Sequence, residues 1–449
     1  MKGYEKILDT LDSVIKKSEA DQTEAVYIGG ESGLTRFANS TIHQNVFEAN
    51  SKVYFRVALG KKIGVASTNS FTKADLGKTL SNATEIAKNQ KENPDFTGLP
   101  SQEKVLSLNT YFEKTAHFTP IQRAQEIKKI FDKAKVHDLT AAGSFSTGEA
   151  EIAVVNTNGV ACYQPLTSSF INIVVTGDNS SGYADCLSRD VDDVNVEHLA
   201  GIAIQKCLES KDPKDLEPGE YDVVLEPTAV ASLLEWMNYI GFGSKPFQEG
   251  ISFLSNRIGQ RIMGENITIY DDGGDQSAIA FPFDFEGVPK QKVTLIEGGV
   301  AKGVVYDSIS AHKDKVKSTG HALTPDSAEG ALPLNLFIEA KDSSVDEMIG
   351  SVERGLLITR FHYINGLLDT TNALLTGMTR DGTFWIENGK VKHGVKNLRF
   401  TESMLKAFSN VAQISQEKKI VNSWWGDLGC VVAPAMLMKN FKFTGKTEF

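Results

Sequence analysis

Apolar residues in the first half of the chain alternate between helical and strand spacing, in an order that occurs twice. This order predicts an N-terminal α+β domain, residues 1–215, with two related helix–meander–helix halves at 1–92 and 118–210. The predicted elements are, in chain order, a helix at 4–15, strands over 24–67, a helix at 73–91, a helix at 120–136, strands over 140–176 and a helix at 194–208.

A polar, breaker-rich stretch at 211–219 marks the predicted boundary with a second domain, residues 216–449. A helix that begins with Pro227 is expected there, and after Gly264 the pattern is typical of strands. Asn388-Gly389 between alternating runs predicts a hairpin, because both turn residues tolerate positive φ. Gly29-Gly30 in the first domain are also expected to separate strands. The predicted fold class is therefore α+β with a mostly antiparallel β-rich C-terminal domain.

Composition narrows the classes of function. The 449-residue chain has a formal net charge of −10, and 41% of its residues are hydrophobic. Acidic composition without a Lys/Arg-rich run argues against direct binding of nucleic acid. No apolar run is long enough to span a membrane, and the start lacks the apolar core of a signal peptide. Four cysteines without a Cys-x-x-Cys pair indicate a cytoplasmic protein with reduced thiols.

The sequence shows no nucleophile elbow of the Gly-x-Ser-x-Gly type and no phosphate-binding loop. Its eight histidines are scattered singly, and each is more simply explained as a solvated or hydrogen-bonded residue than as a ligand. A site built from His312, His321, His362 and Cys430 remains an alternative that only their spatial clustering would support. The acidic stretch 271–275 lacks the spacing of a calcium loop and is interpreted as a turn.

Several segments, in order along nearly the whole chain, form one consistent series. They are Arg-Phe-Ala-Asn-Ser at 36–40, Gly-Ile-Ser-Phe-Leu-Ser at 250–255, Phe-Glu-Gly-Val-Pro at 285–289, Thr-Gly-Met-Thr-Arg-Asp-Gly-Thr-Phe-Trp-Ile-Glu-Asn-Gly at 376–389 and Phe-Lys-Phe-Thr-Gly at 441–445. Together they resemble the TldD/PmbA family, and within it the PmbA (TldE) branch. An older label for such proteins is modulator of DNA gyrase.

In TldD-type members of that family a zinc-peptidase motif, His-Glu, three residues and His, precedes the Gly-x-Ser-x-x-Ser segment. Counting back from that segment, Glu235, Trp236 and Ile240 occupy the positions of the first His, the Glu and the second His. Zinc peptidases need imidazole ligands and a carboxylate base, so no catalytic residue and no metal site are expected here. Cys430 lies where TldD-type relatives place a cysteine ligand, but a lone thiolate binds zinc poorly, and a buried structural thiol is favoured.

The resemblance implies a PmbA/TldE-type subunit of a zinc-dependent metallopeptidase that degrades or processes peptides or unfolded proteins. Zinc would be carried by a TldD-type homologous partner, and the chain alone would be a homodimer. Whether this chain is itself an enzyme stays open, and the alternative is a non-catalytic homodimeric peptide-binding or regulatory scaffold.

The family also implies a substrate held as an added β-strand. The counterpart in this chain is the region 356–400, with Thr359, Arg380 and Asp381 as candidate groove residues. Asp381-Gly382 is equally consistent with a plain hairpin turn, and the turn is favoured.

Overall fold

The computed structural model describes residues 1–424 and 426–447. Within them the helices are α1 Tyr4–Ile15, α2 Lys73–Asn89, α3 Glu113–Ala116, α4 Pro120–Lys135, α5 Val196–Glu209, α6 Pro227–Met237, α7 Ser244–Gln248, α8 Ser308–Asp314, α9 Val345–Gly350 and α10 Met404–Ser409. The strands of the first domain are β1 Gln22–Ala38, β2 Thr41–Leu59, β3 Lys62–Thr68, β4 Thr140–Asn156, β5 Ala161–Thr176 and β6 Ser181–Ser188. Those that follow are β7 Glu220–Leu225, β8 Ile269–Asp271, β9 Val293–Glu297, β10 Val300–Ala301, β11 Asn335–Ile338, β12 Arg354–Asp369, β13 Leu374–Glu387, β14 Lys390–Gly394, β15 Leu398–Ser403, β16 Val411–Asn422 and β17 Cys430–Lys446.

The first six strands form an antiparallel sheet in the order β3-β2-β1-β4-β5-β6. Helices α2 and α5 lie on its two ends, each burying one apolar stripe. Local capping explains where the helices begin: the Thr72 side chain accepts from the Asp75 backbone, and Thr119 with Gln122 forms a capping box before Pro120. Outward from the β1–β4 pair, both directions show the same order of elements. The duplicated halves and the domain boundaries stay predictions.

Gly29 and Gly30 do not separate two strands, so that expectation is wrong. Both lie within β1, which pairs continuously with β2 and β4 there. A Cβ at Gly30 would stand 2.2 Å from the backbone oxygen of Glu149. The glycine allows two backbones to approach closely rather than turning the chain.

The second sheet is mixed but mostly antiparallel, in the order β10-β9-β8-β11-β17-β15-β13-β12-β7. A further pairing between β17 and β7 closes β7-β12-β13-β15-β17 into a ring. Parallel pairing occurs between β11 and β17 and between β12 and β7. The predicted α+β class with a mostly antiparallel C-terminal region is confirmed.

Asp381-Gly382 does not form a hairpin turn, which corrects the favoured interpretation of that dipeptide. Both residues lie within β13, where Ile358 pairs with Thr383 and Arg360 with Arg380. Thr359 therefore faces two residues, as in a β-bulge. The positive φ values of Asp381 and Gly382, 53° and 131°, suit a bulge as well as a turn, so the dipeptide alone could not distinguish them.

The two sheets meet across an aromatic layer and a buried ion pair. Phe281, Phe283 and Phe285 pack against apolar residues of the first sheet. Arg56 of β2 donates to Glu286 at 2.7 Å. Helix α6 packs against β12, β16 and β17, which places one of its faces beside the end of β16. No helix in the described part of the chain is both long and apolar enough to cross a membrane.

Candidate functional site

Helix α6 ends in a π-helical turn at Asn238–Phe242. In a regular α-helix residues five apart project about 140° from each other, whereas a π-turn joins residue i to i+5. Glu235 lies in the last turn of α6, and Ile240 lies within the π-turn that follows. Leu233, Leu234 and Met237 are buried and hold the helix against the core.

Glu235 is 3% exposed and accepts two hydrogen bonds on one oxygen. Ser423 Oγ donates to Glu235 Oε1 at 2.7 Å, and the backbone N–H of Trp424 donates to it at 3.2 Å. Burial raises the pKa of Glu235 to about 7, while the two hydrogen bonds oppose the rise. The carboxyl is thus tied to the end of β16.

Trp236 and Ile240 fill space instead of supplying ligands. The Trp236 ring meets the Trp424 ring edge-on at 4.9 Å between centroids, and the Tyr239 ring at 6.1 Å. A Cβ at Gly366 in β12 would stand 2.8 Å from Trp236 Cε3, so the glycine makes room for the indole. Ile240 is 3% exposed within the core. Neither side chain can act as a base or bind a metal.

A cavity of about 260 Å³ opens beside these residues, and we call it the α6 cleft. Its walls come from α6, β12 and the end of β16, and they include Glu235, His362 and Asn422. Tyr363 and Trp424 stand at the cleft with exposed fractions of 75% and 54%. Burial, and then the neighbouring arginines, lower the pKa of His362. The cleft offers an acid, an imidazole and aromatic surface.

Cys430 does not line the α6 cleft. At the start of β17 it pairs with Asn335 of β11 and packs among Ile279, Phe337 and Val432. Burial raises the pKa of its thiol to about 12. The side chain is 1% exposed and behaves as a core thiol.

His321 belongs to the same interior as Cys430. Its Nε2 lies 2.8 Å from Asp271 Oδ1, and its Nδ1 lies 3.0 Å from Thr319 Oγ1. Asp271 also accepts from the Asn335 backbone, and Lys290 Nζ donates to the Asn335 side chain at 3.0 Å. We call Asp271, Lys290, His321, Asn335 and Cys430 the inner polar cluster. All five are buried.

The four residues of the alternative rebuilt site are thus divided. His321 and Cys430 lie at the inner polar cluster, His362 lines the α6 cleft, and His312 lies on α8. Among the residues that the structure describes, no group of three or more His, Cys, Asp or Glu side chains could hold a metal ion. The alternative has lost the spatial clustering on which it depended.

Ser423 is the residue of this site that sequence reasoning missed. It is buried, follows β16 directly, and touches the carboxyl at the first motif position. A side chain at position 423 thus lies within hydrogen-bonding reach of the side chain at position 235. The sequence offers no signal for this contact, because Ser423 and Glu235 are 188 residues apart.

The candidate groove residues lie together at the bulge between β12 and β13. Thr359 and Asp381 are buried, and Arg360 Nε donates to Asp381 at 2.8 Å. The Arg360 guanidinium also stacks 4.3 Å from the Tyr183 ring of the first sheet. Arg380 has a side chain that is 41% exposed. A role of Thr359, Arg380 and Asp381 in binding substrate stays a prediction.

Residues 218–445 match the family model for the PmbA/TldA metallopeptidase C-terminal domain, and 23–87 match that for PmbA/TldA metallopeptidase domain 1. The chain belongs to the PmbA/TldD family. It is thereby a member of a metallopeptidase family.

Relatives within the PmbA/TldD family cover most of this chain. The metalloprotease TldD homolog of Buchnera aphidicola is 24% identical over 85% of this chain and 82% of its own. The metalloprotease PmbA of Escherichia coli O157:H7 is 22% identical over 92% of this chain and 91% of its own. The crystal structure of TldE from Thermococcus kodakarensis superposes with a TM-score of 0.89 at 20% identity, over 97% of this chain and 100% of its own. The shared fold extends over the whole molecule.

The family name implies a metal, and zinc is the expected ion. Zinc sites in proteins use three or four Cys, His or carboxylate ligands. The described lining of the α6 cleft supplies one carboxyl and one imidazole, and the motif positions add an indole and an alkyl group. This donor set does not fit zinc.

Proposed function

We propose that this chain is the PmbA/TldE-type subunit of a zinc-dependent metallopeptidase, and that a TldD-type partner supplies the metal. The observation that carries the proposal is the state of Glu235. Its carboxyl accepts hydrogen bonds from Ser423 and Trp424 on one oxygen, and it is the one side chain at the three motif positions that could bind a metal. Beside it Trp236 stands where the base of the motif would be.

The substrates we propose are peptides or unfolded segments bound in extended form. The α6 cleft is lined on one side by β12, and exposed Tyr363 and Trp424 offer aromatic surface. Aromatic rings and main-chain contacts bind peptides with little demand on sequence. This chain would then hold and orient peptide while its partner cleaves it. We place the assembly in the cytoplasm, where the four free thiols would stay reduced.

The test measures zinc and peptidase activity on the purified full chain, on a TldD-type chain, and on their mixture. We expect no stoichiometric zinc and no cleavage for this chain alone, and chelator-sensitive cleavage in the mixture. Trp424→Ala in this chain should raise the KM for peptide in the mixture. The matched control is Ile121→Ala, which removes another exposed apolar side chain, on α4 and distant in sequence from Trp424. Tightly bound zinc with chelator-sensitive activity in the isolated chain would overturn the proposal.

A second candidate is a homodimeric peptide-binding scaffold without any catalytic partner. The exposed aromatic pair at the α6 cleft favours it, because such a surface binds peptide whether or not cleavage follows. In that case the isolated chain would bind unfolded peptide, Trp424→Ala would weaken binding, and a TldD-type chain would add no cleavage.

A further inference from the structure

The α6 cleft has aromatic walls that meet at nearly a right angle. The Trp236 and Trp424 rings both line the cavity, with an interplanar angle of 79° and 4.9 Å between their centroids. Tyr363 adds a third ring at the cleft, with an exposed fraction of 75%. Rings arranged around a cavity are the surroundings in which proteins bind ammonium groups, because the face of each ring carries partial negative charge.

Tyr363 has a backbone conformation that bulky residues avoid. Its φ is 48°, in the left-handed region, and it lies where the pairing of β12 with β13 shifts register between His362 and Asn365. Packing in the core does not account for this conformation, because most of the Tyr363 side chain is exposed. Backbone strain of this kind clusters at sites that bind ligands.

The charge of the cleft depends on Glu235. Among the described residues of its lining Glu235 is the one carboxyl, and none is a Lys or Arg. The His362 imidazole favours its neutral form, because burial and then the nearby arginines lower its pKa. Of these arginines, Arg360 donates to Asp381, and Arg380 has a side chain that is 41% exposed, so water screens its charge. The cleft is therefore suited to a cation.

The carboxyl of Glu235 lacks a cationic partner in the described chain. It is 3% exposed, and both of its hydrogen bonds fall on Oε1. Burial raises its pKa to about 7, and a cation in the cleft would stabilise its charged form. An ammonium suits this carboxyl better than a guanidinium. A guanidinium binds a carboxylate through both oxygens, and Oε1 already accepts two hydrogen bonds.

We propose that the α6 cleft binds an alkylammonium group of the peptide, with Trp236, Trp424 and Tyr363 around the cation and Glu235 as its counter-ion. The group would be a lysine side chain or a free N-terminus, since both are protonated amines at pH 7. The inference rests on the peptide-holding role in the proposed function and adds a preference to it. Main-chain contacts would bind any extended segment, and the cleft would select the position of a positive charge along it.

The first experiment measures the binding of short unstructured peptides to the purified full chain by calorimetry at pH 7. Three N-acetylated peptides differ only at a central residue, which is lysine, norleucine or arginine, and a fourth has norleucine and a free N-terminus. We expect the lysine peptide to bind about tenfold more tightly than the acetylated norleucine peptide. A preference for the fourth peptide would instead identify the N-terminal amine as the source of the ammonium.

Two results of that experiment would overturn the proposal. One is equal binding of all four peptides, which would mean that the cleft does not recognise a cation. The other is an arginine peptide that binds as tightly as the preferred amine, which would mean that the site is not selective for ammonium.

The second experiment removes the counter-ion. Glu235→Gln keeps the shape of the side chain and should reduce the preference for the amine to about twofold or less, while the affinity for the acetylated norleucine peptide stays unchanged. The matched control is Glu85→Gln on α2, where the side chain is 62% exposed, and it should leave the preference unchanged. A preference that survives Glu235→Gln would overturn the proposal.

The same peptides in a mixture with a TldD-type chain separate this inference from the proposed function. Chelator-sensitive cleavage of all four peptides with equal KM would support the proposed function and overturn the inference. Selective binding of the amine by this chain, without chelator-sensitive cleavage in the mixture, would support the inference and overturn the proposed catalytic assembly.

Discussion

The α6 cleft and the inner polar cluster are both built around a buried carboxyl, yet they differ in how that carboxyl is satisfied. Asp271 binds His321 through one oxygen and the Asn335 backbone through the other, with Lys290 close by. Both of its oxygens have hydrogen-bond partners, as a buried polar group requires. Glu235 has its two hydrogen bonds on one oxygen, and it lines a cavity.

The difference favours a structural role for the inner polar cluster and makes the α6 cleft the candidate functional site. The residue types that suggest metal chemistry in the sequence, His321 and Cys430, belong to the closed interior. At the three positions that the resemblance aligns with the zinc motif, this chain has Glu235, Trp236 and Ile240. A polar group that is completely satisfied stabilises the fold, whereas one facing a cavity is available to a ligand.

The largest expected effect comes from breaking the inner polar cluster. Asp271→Ala would leave His321 Nε2 and the Asn335 N–H without their Asp271 partner in the core, and should lower the free energy of unfolding by about 3–5 kcal/mol. Asp342→Ala, at an exposed position, is the control and should change it by less than about 0.5 kcal/mol. Urea unfolding measures both. Equal changes in the free energy of unfolding for the two variants would show that the inner polar cluster does not stabilise the fold.

Glu235 in the α6 cleft should make the free energy of unfolding depend on pH. The pKa of Glu235 is about 7 in the folded chain and about 4.5 when exposed, so the folded state binds the proton more tightly. Its contribution to stability is therefore complete below pH 4.5 and lost as the pH rises through 7. Glu235→Gln should gain up to about 3 kcal/mol over wild type between pH 4.5 and 8.

The matched control for that pH series is Glu249→Gln, at an exposed glutamate on the same part of the chain. Its unfolding curves should run parallel to those of the wild type throughout the series. If Glu235→Gln did so too, the burial of Glu235 would have no energetic consequence, and the contrast with Asp271 would be weakened.

A third test asks which position completes a metal site. The triple variant Glu235→His, Trp236→Glu, Ile240→His restores the motif and retains Cys430. Adding Ser423→Cys should tighten zinc binding about a hundredfold, or about 2.7 kcal/mol, because residue 423 touches residue 235. Zinc titration with a competing chelator measures the difference. Equal affinities would mean that Ser423 is not the position of the third ligand.

The hairpin at Asn388-Gly389 was predictable, because two positive φ values in adjacent residues are a local demand that those residue types meet. Asp381-Gly382 also has two positive φ values in adjacent residues, but it lies within a strand, because the bulge opposite Thr359 requires them. Gly30 could not be assigned from its neighbours, because Glu149, which requires it to be small, is distant in sequence. For the same reason the sequence could identify Glu235 as a candidate position but could not predict its hydrogen bond with Ser423. Local sequence patterns therefore could not predict the contacts between segments that are distant along the chain.

The smallest effect is expected at Cys430, and it distinguishes a packed thiol from a ligand. Cys430→Ala removes one buried sulfur that packs against Ile279, Phe337 and Val432, so it should cost about 1–2 kcal/mol in the free energy of unfolding. When Cys430→Ala is added to the variant that carries the three motif substitutions and Ser423→Cys, the zinc affinity should stay unchanged. Cys186→Ala, at a half-buried thiol, is the control and should cost less. Because burial raises the pKa of Cys430 to about 12, its thiol should also resist maleimide at pH 8 until the chain unfolds. If Cys430→Ala lowered the zinc affinity of that variant, Cys430 would be a metal ligand, and the inner polar cluster and the α6 cleft would not be separate sites.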